Sequence, residues 1–168
     1  MISRIASWRT LAAVATCAAL LACKERSAGD SIASAEANIA KRDYSSAIVE
    51  LKYELSKDPA RGIARYLLGV AFLGQGQFAQ ALTELNRAIE FGFDEDRVRG
   101  KHAVALIGSG RTEEVLREYK DLNLRDPGAI AEVKTAVAIA HLSAKRIAEA
   151  ERALDEALEA NPNSAWTL

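Results

Sequence analysis

The chain has 168 residues, a length that suits one domain of ordinary size. Its 22 basic and 23 acidic residues leave a net charge of −1, which excludes the basic face that nucleic acid recognition needs. Ala and Leu are abundant, Pro occurs only three times and aromatic residues are few, so the composition reads as all-α.

The first element is the apolar run from Thr10 to Ala22. A membrane-spanning helix needs roughly 20 residues, and this run has only about a dozen. Arg4 and Arg9 precede it, and no acidic residue appears before Glu25. A basic start, a short apolar middle and a small residue at the end describe a secretory signal. Leu20-Leu21-Ala22-Cys23 resembles the lipobox of bacterial lipoproteins. That resemblance implies a signal peptide over 1–22 and a lipid on Cys23, with residues 23–30 as a short linker. Leu21 stands where Ala, Ser or Thr is commoner, and Cys17 follows Thr16, a poorer match. Cys17 would leave with the signal and Cys23 would carry lipid, so no thiol remains for a disulfide or a metal. Loss of Arg4 and Arg9 leaves 20 basic against 23 acidic residues, a net charge of −3.

A repeat follows. Pro59 and Pro127 are 68 residues apart, twice 34, with Phe93 at the midpoint. Pro162 lies 35 beyond Pro127, which places one inserted residue in "PGAI" at 127–130. Twelve residues before each of these marks stand Ala47, Ala81, Val115 and Ala150. Four further on stand Leu51, Leu85, Tyr119 and Leu154, and the eighth place of each unit holds Ala35, Gly69, Ala103 or Ala138. Small residues there let helices approach, and the bulky ones fill the space between them. This pattern resembles the tetratricopeptide (TPR) repeat. The resemblance implies an all-α, right-handed superhelical solenoid of antiparallel helix pairs over 31–164, in units 28–61, 62–95, 96–129 and 131–164. The turns within units are expected at "AKRDY", "GQGQF", "GSGRT" and "SAKRI". Residues 165–168 read as the start of a further repeat or a frayed end, and the chain as the N-terminal part of a longer protein.

No set of residues points to catalysis. His102 and His141 lie at different phases of two first helices and read as packed or solvated imidazoles. "GQGQF" and "GSGRT" follow no strand and lack the phosphate-loop lysine. "DEDR" at 94–97 lacks the spacing of a calcium loop and reads as an acidic helix start. The chain is therefore expected to be no enzyme, with no cofactor, no metal and no small-molecule substrate.

TPR arrays bind protein partners on the concave side, at the second, fifth, ninth and twelfth places. The resemblance therefore implies a mainly apolar groove of Ile32, Glu36, Ile39, Tyr66, Val70, Leu73, Val104, Ile107, Thr135, Ile139 and Leu142. The alternative is that these residues pack inside a tight superhelix. Lys and Asn at the fifth and ninth places, which grip a carboxylate in some TPR proteins, are absent here.

The order of lipobox, "AEANIAKRDYSSAIVELKYELSKDP", "ARYLLGVAFLGQGQFAQALTELNRAIEFG", "LIGSGRTEEVL" and "AHLSAKRIAEAERALDEALEANP" is similar to the N-terminal part of the PEP-CTERM system TPR-repeat lipoproteins. That family implies a role in exosortase protein sorting and exopolysaccharide export in a Gram-negative envelope. Arg42 and Phe93 depart from its usual Gly and Pro. An outer-membrane assembly lipoprotein, serving a pilus secretin or a β-barrel machine, is the alternative. A third is an enzyme accessory or a glycan-handling enzyme, with catalysis expected in a C-terminal part beyond this chain. Lys24, where an Asp often retains lipoproteins in the inner membrane, favours the periplasmic face of the outer membrane.

Acylation explains attachment, since one acyl chain holds a protein only marginally and two or more hold it stably, at about 0.8 kcal/mol per buried methylene. Cys23→Ser is expected to leave the array folded and to release it into the soluble fraction. A Cys23→Ser protein that still sediments with membranes and still begins at Met1 would make the run an uncleaved anchor.

Overall fold

The structure, a computed structural model, describes residues 28–119 and 121–162. The signal peptide, Cys23 and the Trp166 segment assigned from sequence lie outside the described residues. Among those described there are eight helices and no strand. They are α1 (Ala28–Ala40), α2 (Tyr44–Lys57), α3 (Gly62–Gly74), α4 (Phe78–Glu90), α5 (Glu95–Gly108), α6 (Thr112–Tyr119), α7 (Pro127–Ser143) and α8 (Ile147–Ala160). None is long and apolar enough to cross a membrane.

The helices form four pairs, each first helix packing on its own second helix and on the first helix of the next pair. Each second helix packs on the following first helix, but no two second helices touch among the described residues. One layer is thus closer spaced than the other, and the stack bends toward the first helices. This is the TPR solenoid, in which stability is built from neighbour interfaces.

The turns within pairs share one geometry. After the first helices, Arg42, Gly76, Gly110 and Lys145 have φ between +60° and +76°. Each donates its N–H three residues back, and the next N–H donates five back, as in Asp43 to the Asn38 carbonyl at 2.8 Å and Gln77 to that of Phe72 at 2.8 Å. This is a Schellman cap, which glycine fits without cost. Arg42 and Lys145 accept a left-handed backbone that costs a non-glycine residue roughly 1–2 kcal/mol. At helix starts, Asp43, Asp94 and Asp126 accept hydrogen bonds from the N–H groups of Ser46, Arg97 and Ala129. The acidic stretch at 94–97 is therefore a capped helix start.

The 34-residue register reappears as burial. Ala35, Ala103 and Ala138 are fully buried, as are Ala47, Ala81 and Val115, with Leu51 and Leu85 filling the space beside them. At Gly69 a Cβ would stand 2.8 Å from Leu85 Cγ, so α3 and α4 approach closer than any larger residue allows. Between units, the ring of Tyr44 covers Gly74 and the ring of Phe78 covers Gly108. Phe93, where the register expects proline, stacks on Tyr66 with ring centroids 4.6 Å apart.

The third unit departs from the expected pattern. Its second helix, α6, has only eight residues. The longer step of the repeat falls between Tyr119 and Ala138, and residues 127–130 form the first turn of α7. Pro127 sits at the start of that helix, where a missing N–H costs nothing. Leu122 and Leu124 tuck against the core, and Asp96 accepts hydrogen bonds from the N–H groups of Arg125 (2.7 Å) and Asp126 (3.3 Å). Helix α7 therefore begins before the unit boundary expected at 129–131.

A buried polar pair sits behind α6. Tyr119 Oη lies 2.7 Å from His102 Nδ1. Burial raises the Tyr119 pKa, and the nearby Arg99 guanidinium opposes that rise. Burial pushes the His102 pKa down; Glu118 and Glu114 pull it up, and Arg99 and Arg111 push it lower.

Gly69→Leu is expected to cost about 1–3 kcal/mol or more through overpacking. Because neighbours share the interface, hydrogen exchange is expected to quicken in the first and third pairs too; unchanged exchange there would contradict a stacked array. His102 titrates below its ordinary 6.5 in the folded chain. The unfolded chain thus takes up the proton first, so stability is complete above that pH and is lost as pH falls below it. The thermal midpoint is expected to drop between neutral and mildly acidic pH, and to drop less in His102→Gln. Equal slopes for the two proteins would refute this.

Candidate functional site

The first helices α1, α3, α5 and α7 lie side by side and form the inner face of the array. The ninth- and twelfth-place residues run along it. Glu36 is exposed, and Ile39, Val70, Leu73, Val104 and Ile107 are half-buried. Toward the last pair the apolar surface opens, with Ile139 39% and Leu142 48% exposed. A hollow of about 50 Å³ between α5 and α7 is lined by Val104, Ile107, Glu132, Thr135, Ala136 and Ile139. Glu132 is its only charged neighbour.

The fifth places add little exposed surface here, although Thr135 and Tyr66 line its hollows. Ile32, Tyr66 and Thr135, expected in the groove, are buried, and so is Gly100. The reason is the contact between successive first helices, which turns the fifth place into a seam. At Gly100 a Cβ would stand 3.1 Å from Ala129 Cα, so α5 and α7 meet almost backbone to backbone. The Thr135 hydroxyl donates to the Ala131 carbonyl at 2.8 Å, which satisfies it inside the seam. Tyr66 stacks on Phe93, and the Arg97 guanidinium lies 5.1 Å from the Tyr66 ring and 5.5 Å from the Phe93 ring. Burial raises the Tyr66 pKa, and Lys101 and Arg97 oppose that rise.

The groove also has a charged end that sequence reasoning missed. Tyr66, Arg97, Lys101, Asp126 and Glu132 surround a hollow of about 170 Å³ near the N-termini of α5 and α7. Lys101 and Glu132 form an ion pair across these helices. Arg97 occupies a second place, a groove position by the repeat register, and that signal was sufficient to find it. The partnership of Lys101 with Glu132 could not be read, because it spans 31 residues and depends on the crossing of α5 and α7.

Other polar groups have structural settings. His102 is tied to Tyr119 in the core. His141 lines a separate hollow between α7 and α8, beside the Lys134–Glu156 ion pair at 2.6 Å. Among the described residues no three His, Cys, Asp or Glu side chains gather to hold a metal ion. The geometry of the inner face suits apolar side chains from a protein partner, with charges at one end to orient them.

Residues 38–105 match the family model for the tetratricopeptide repeat. PilF of Pseudomonas aeruginosa is similar in structure over 83% of this chain, with a TM-score of 0.67 and 22% identity. This chain spans 64% of the length of that PilF chain. YrrB, a TPR protein with an unusual peptide-binding site, is similar over 86% of this chain and 91% of its own, with a TM-score of 0.54 and 13% identity. No curated protein matches the sequence. At these identities the likeness speaks for the fold, which is a TPR repeat array, the architecture of scaffolds for protein–protein interaction.

Proposed function

We propose that this TPR array is a non-catalytic scaffold that holds a protein partner of the cell envelope along its first helices. One observation carries the reading. The apolar row through Val70, Leu73, Val104 and Ile107 continues into Ile139 and Leu142, which stand open to solvent at the end of the groove. Exposed apolar surface that is rimmed by charge marks an interaction site. Peptide binding by YrrB, which shares the fold, is in keeping with this use.

The setting we propose is a lipid-anchored protein on the periplasmic face of the outer membrane. The lipobox-like Leu20-Leu21-Ala22-Cys23 and the Lys24 after it support this. The resemblance to PEP-CTERM system lipoproteins suggests exosortase protein sorting and exopolysaccharide export as the process, with sorting or export machinery as the partner. No cofactor beyond the lipid on Cys23, no nucleic acid and no small substrate enters this function.

Site-specific photo-crosslinking from position 139 or 142 in cells is the direct test. A discrete adduct with an envelope protein is expected, and Val104→Asp is expected to weaken it about tenfold or more, the usual scale for disrupting an apolar anchor. Crosslinks no different from those placed at exposed Glu151 on α8 would remove the groove from the function.

A further inference from the structure

Two hollows lie side by side on the inner face, and Glu132 borders both. One is the apolar hollow between α5 and α7, the other the charged hollow near the N-terminal ends of these helices. The apolar one arises from residue size. Helix α7 brings Thr135 and Ala136 to the places where α3 carries Tyr66 and Leu67, so the seam between α5 and α7 is short of side-chain volume. Val104, Ile107 and Ile139 line the space that is left, about 50 Å³. The Thr135 hydroxyl is bonded to the Ala131 carbonyl at 2.8 Å and needs nothing from a ligand. A cavity of about 150 Å³ takes a benzene ring, so this smaller hollow suits an aliphatic side chain of a few carbons and not a ring.

The charged hollow has a cation to spare. Lys101 is paired with Glu132, and Asp126 caps α7 by accepting from the Ala129 N–H at 2.7 Å. Arg97 is exposed and has no ion-pair partner among the described residues. Its guanidinium lies 5.1 Å from the centre of the Tyr66 ring and 5.5 Å from that of Phe93, two rings that stack on each other. A planar guanidinium resting on aromatic rings is held in place, with N–H groups left to meet a carboxylate.

Helix α5 sets the distance between the two. Val104 follows Arg97 by seven residues, which is about two turns or about 10 Å along the axis. An extended chain covers that length in about three residues. The seam thus offers an apolar contact and a cationic contact at a fixed spacing. Glu132 stands between them and disfavours an acid at the apolar end.

We propose that the partner is recognised at this seam by a motif of two parts: an aliphatic side chain seated between α5 and α7, and an Asp or Glu about 10 Å away on Arg97. This rests on the reading of the inner face as the partner site, and it names what that site selects. The aliphatic residue is the anchor. The ion pair fixes the direction in which the segment lies along the seam. A segment with the same anchor but a basic residue at the second position meets Arg97 with like charge, which turns it away.

Short peptides of Ser and Gly with blocked ends, which bring no terminal carboxylate, test this against the purified protein. One carries Ile and Asp about three positions apart, to span the seam in extended form. A second has Lys in place of the Asp, a third has Ser in place of the Ile, and each is made in both orders. Binding is followed by amide NMR shifts, which register affinities as weak as millimolar. In one order the peptide with Ile and Asp is expected to bind about tenfold more tightly than its Lys counterpart, because complementary charge selects the partner. Its shifts are expected on α5 and α7, and loss of the Ile is expected to cost about tenfold or more. Arg97→Glu, a change at an exposed side chain, is expected to reverse the charge preference, and Arg97→Lys to keep its sign. Equal binding of the Asp and Lys peptides, a preference for Asp that survives Arg97→Glu, or no shift with any peptide would overturn the proposal. The inner face as a partner site is judged separately, by crosslinking from position 139 or 142, and stands if that adduct forms while the charge preference is missing.

Discussion

Contact between successive first helices is the constraint on which the rest of this molecule depends. It requires small residues where helices cross. Gly100 admits Ala129 where α5 crosses α7, and within a pair Gly69 admits Leu85 while Ala35, Ala103 and Ala138 are fully buried. Interiors packed at this density transmit a change at one crossing to the next. Burial of alanines and leucines, the caps at the turns and cross-helix polar pairs such as Lys101 with Glu132 and Arg65 with Glu84 stabilise the interfaces.

The same constraint makes two unlike faces. Where first helices touch, the fifth place becomes a seam, and the ninth and twelfth places remain as surface. Where second helices separate, clefts remain open on the outside. The inner face is apolar with a charged end made by Arg97, Lys101 and Glu132, and the second helices expose apolar side chains at both ends of the array, Val49 and Tyr53 on α2 and Ile147 and Leu158 on α8. The two faces therefore differ in shape and chemistry, although they are built on one repeat.

Two places carry polar groups at a cost. Glu54 is buried at the twenty-seventh place of its unit, where Ala88 and Ala157 stand in others, and it is tied to Arg61. Its second oxygen has no hydrogen-bond partner among the described residues. Such a pair adds little net stability, because desolvation opposes the attraction. In the third unit, Tyr119 takes the place of a leucine and needs a partner for its hydroxyl. His102 supplies it. That bonded pair lies where α6 ends early, so polar contacts replace part of the apolar packing that a longer helix would supply.

The sequence by itself determined the helix pairs, their phase and their turns, because each of these is local. Small residues at eighth places, apolar residues four apart and Gly or Asp at turns act within a dozen residues of chain. The ninth- and twelfth-place row through Ile139 and Leu142 was legible for the same reason. Only the tertiary structure decided that Ile32, Tyr66 and Thr135 are buried, since their exposure depends on how closely one first helix lies on the next. It also decided that α6 stops at Tyr119 and that Pro127 opens a helix. These outcomes rest on Leu122, Leu124 and the Asp96 carboxylate holding the connection from about thirty residues away. Contacts of that separation leave no periodic mark in a sequence, because they depend on the crossing of helices in space and not on the spacing of residues along one.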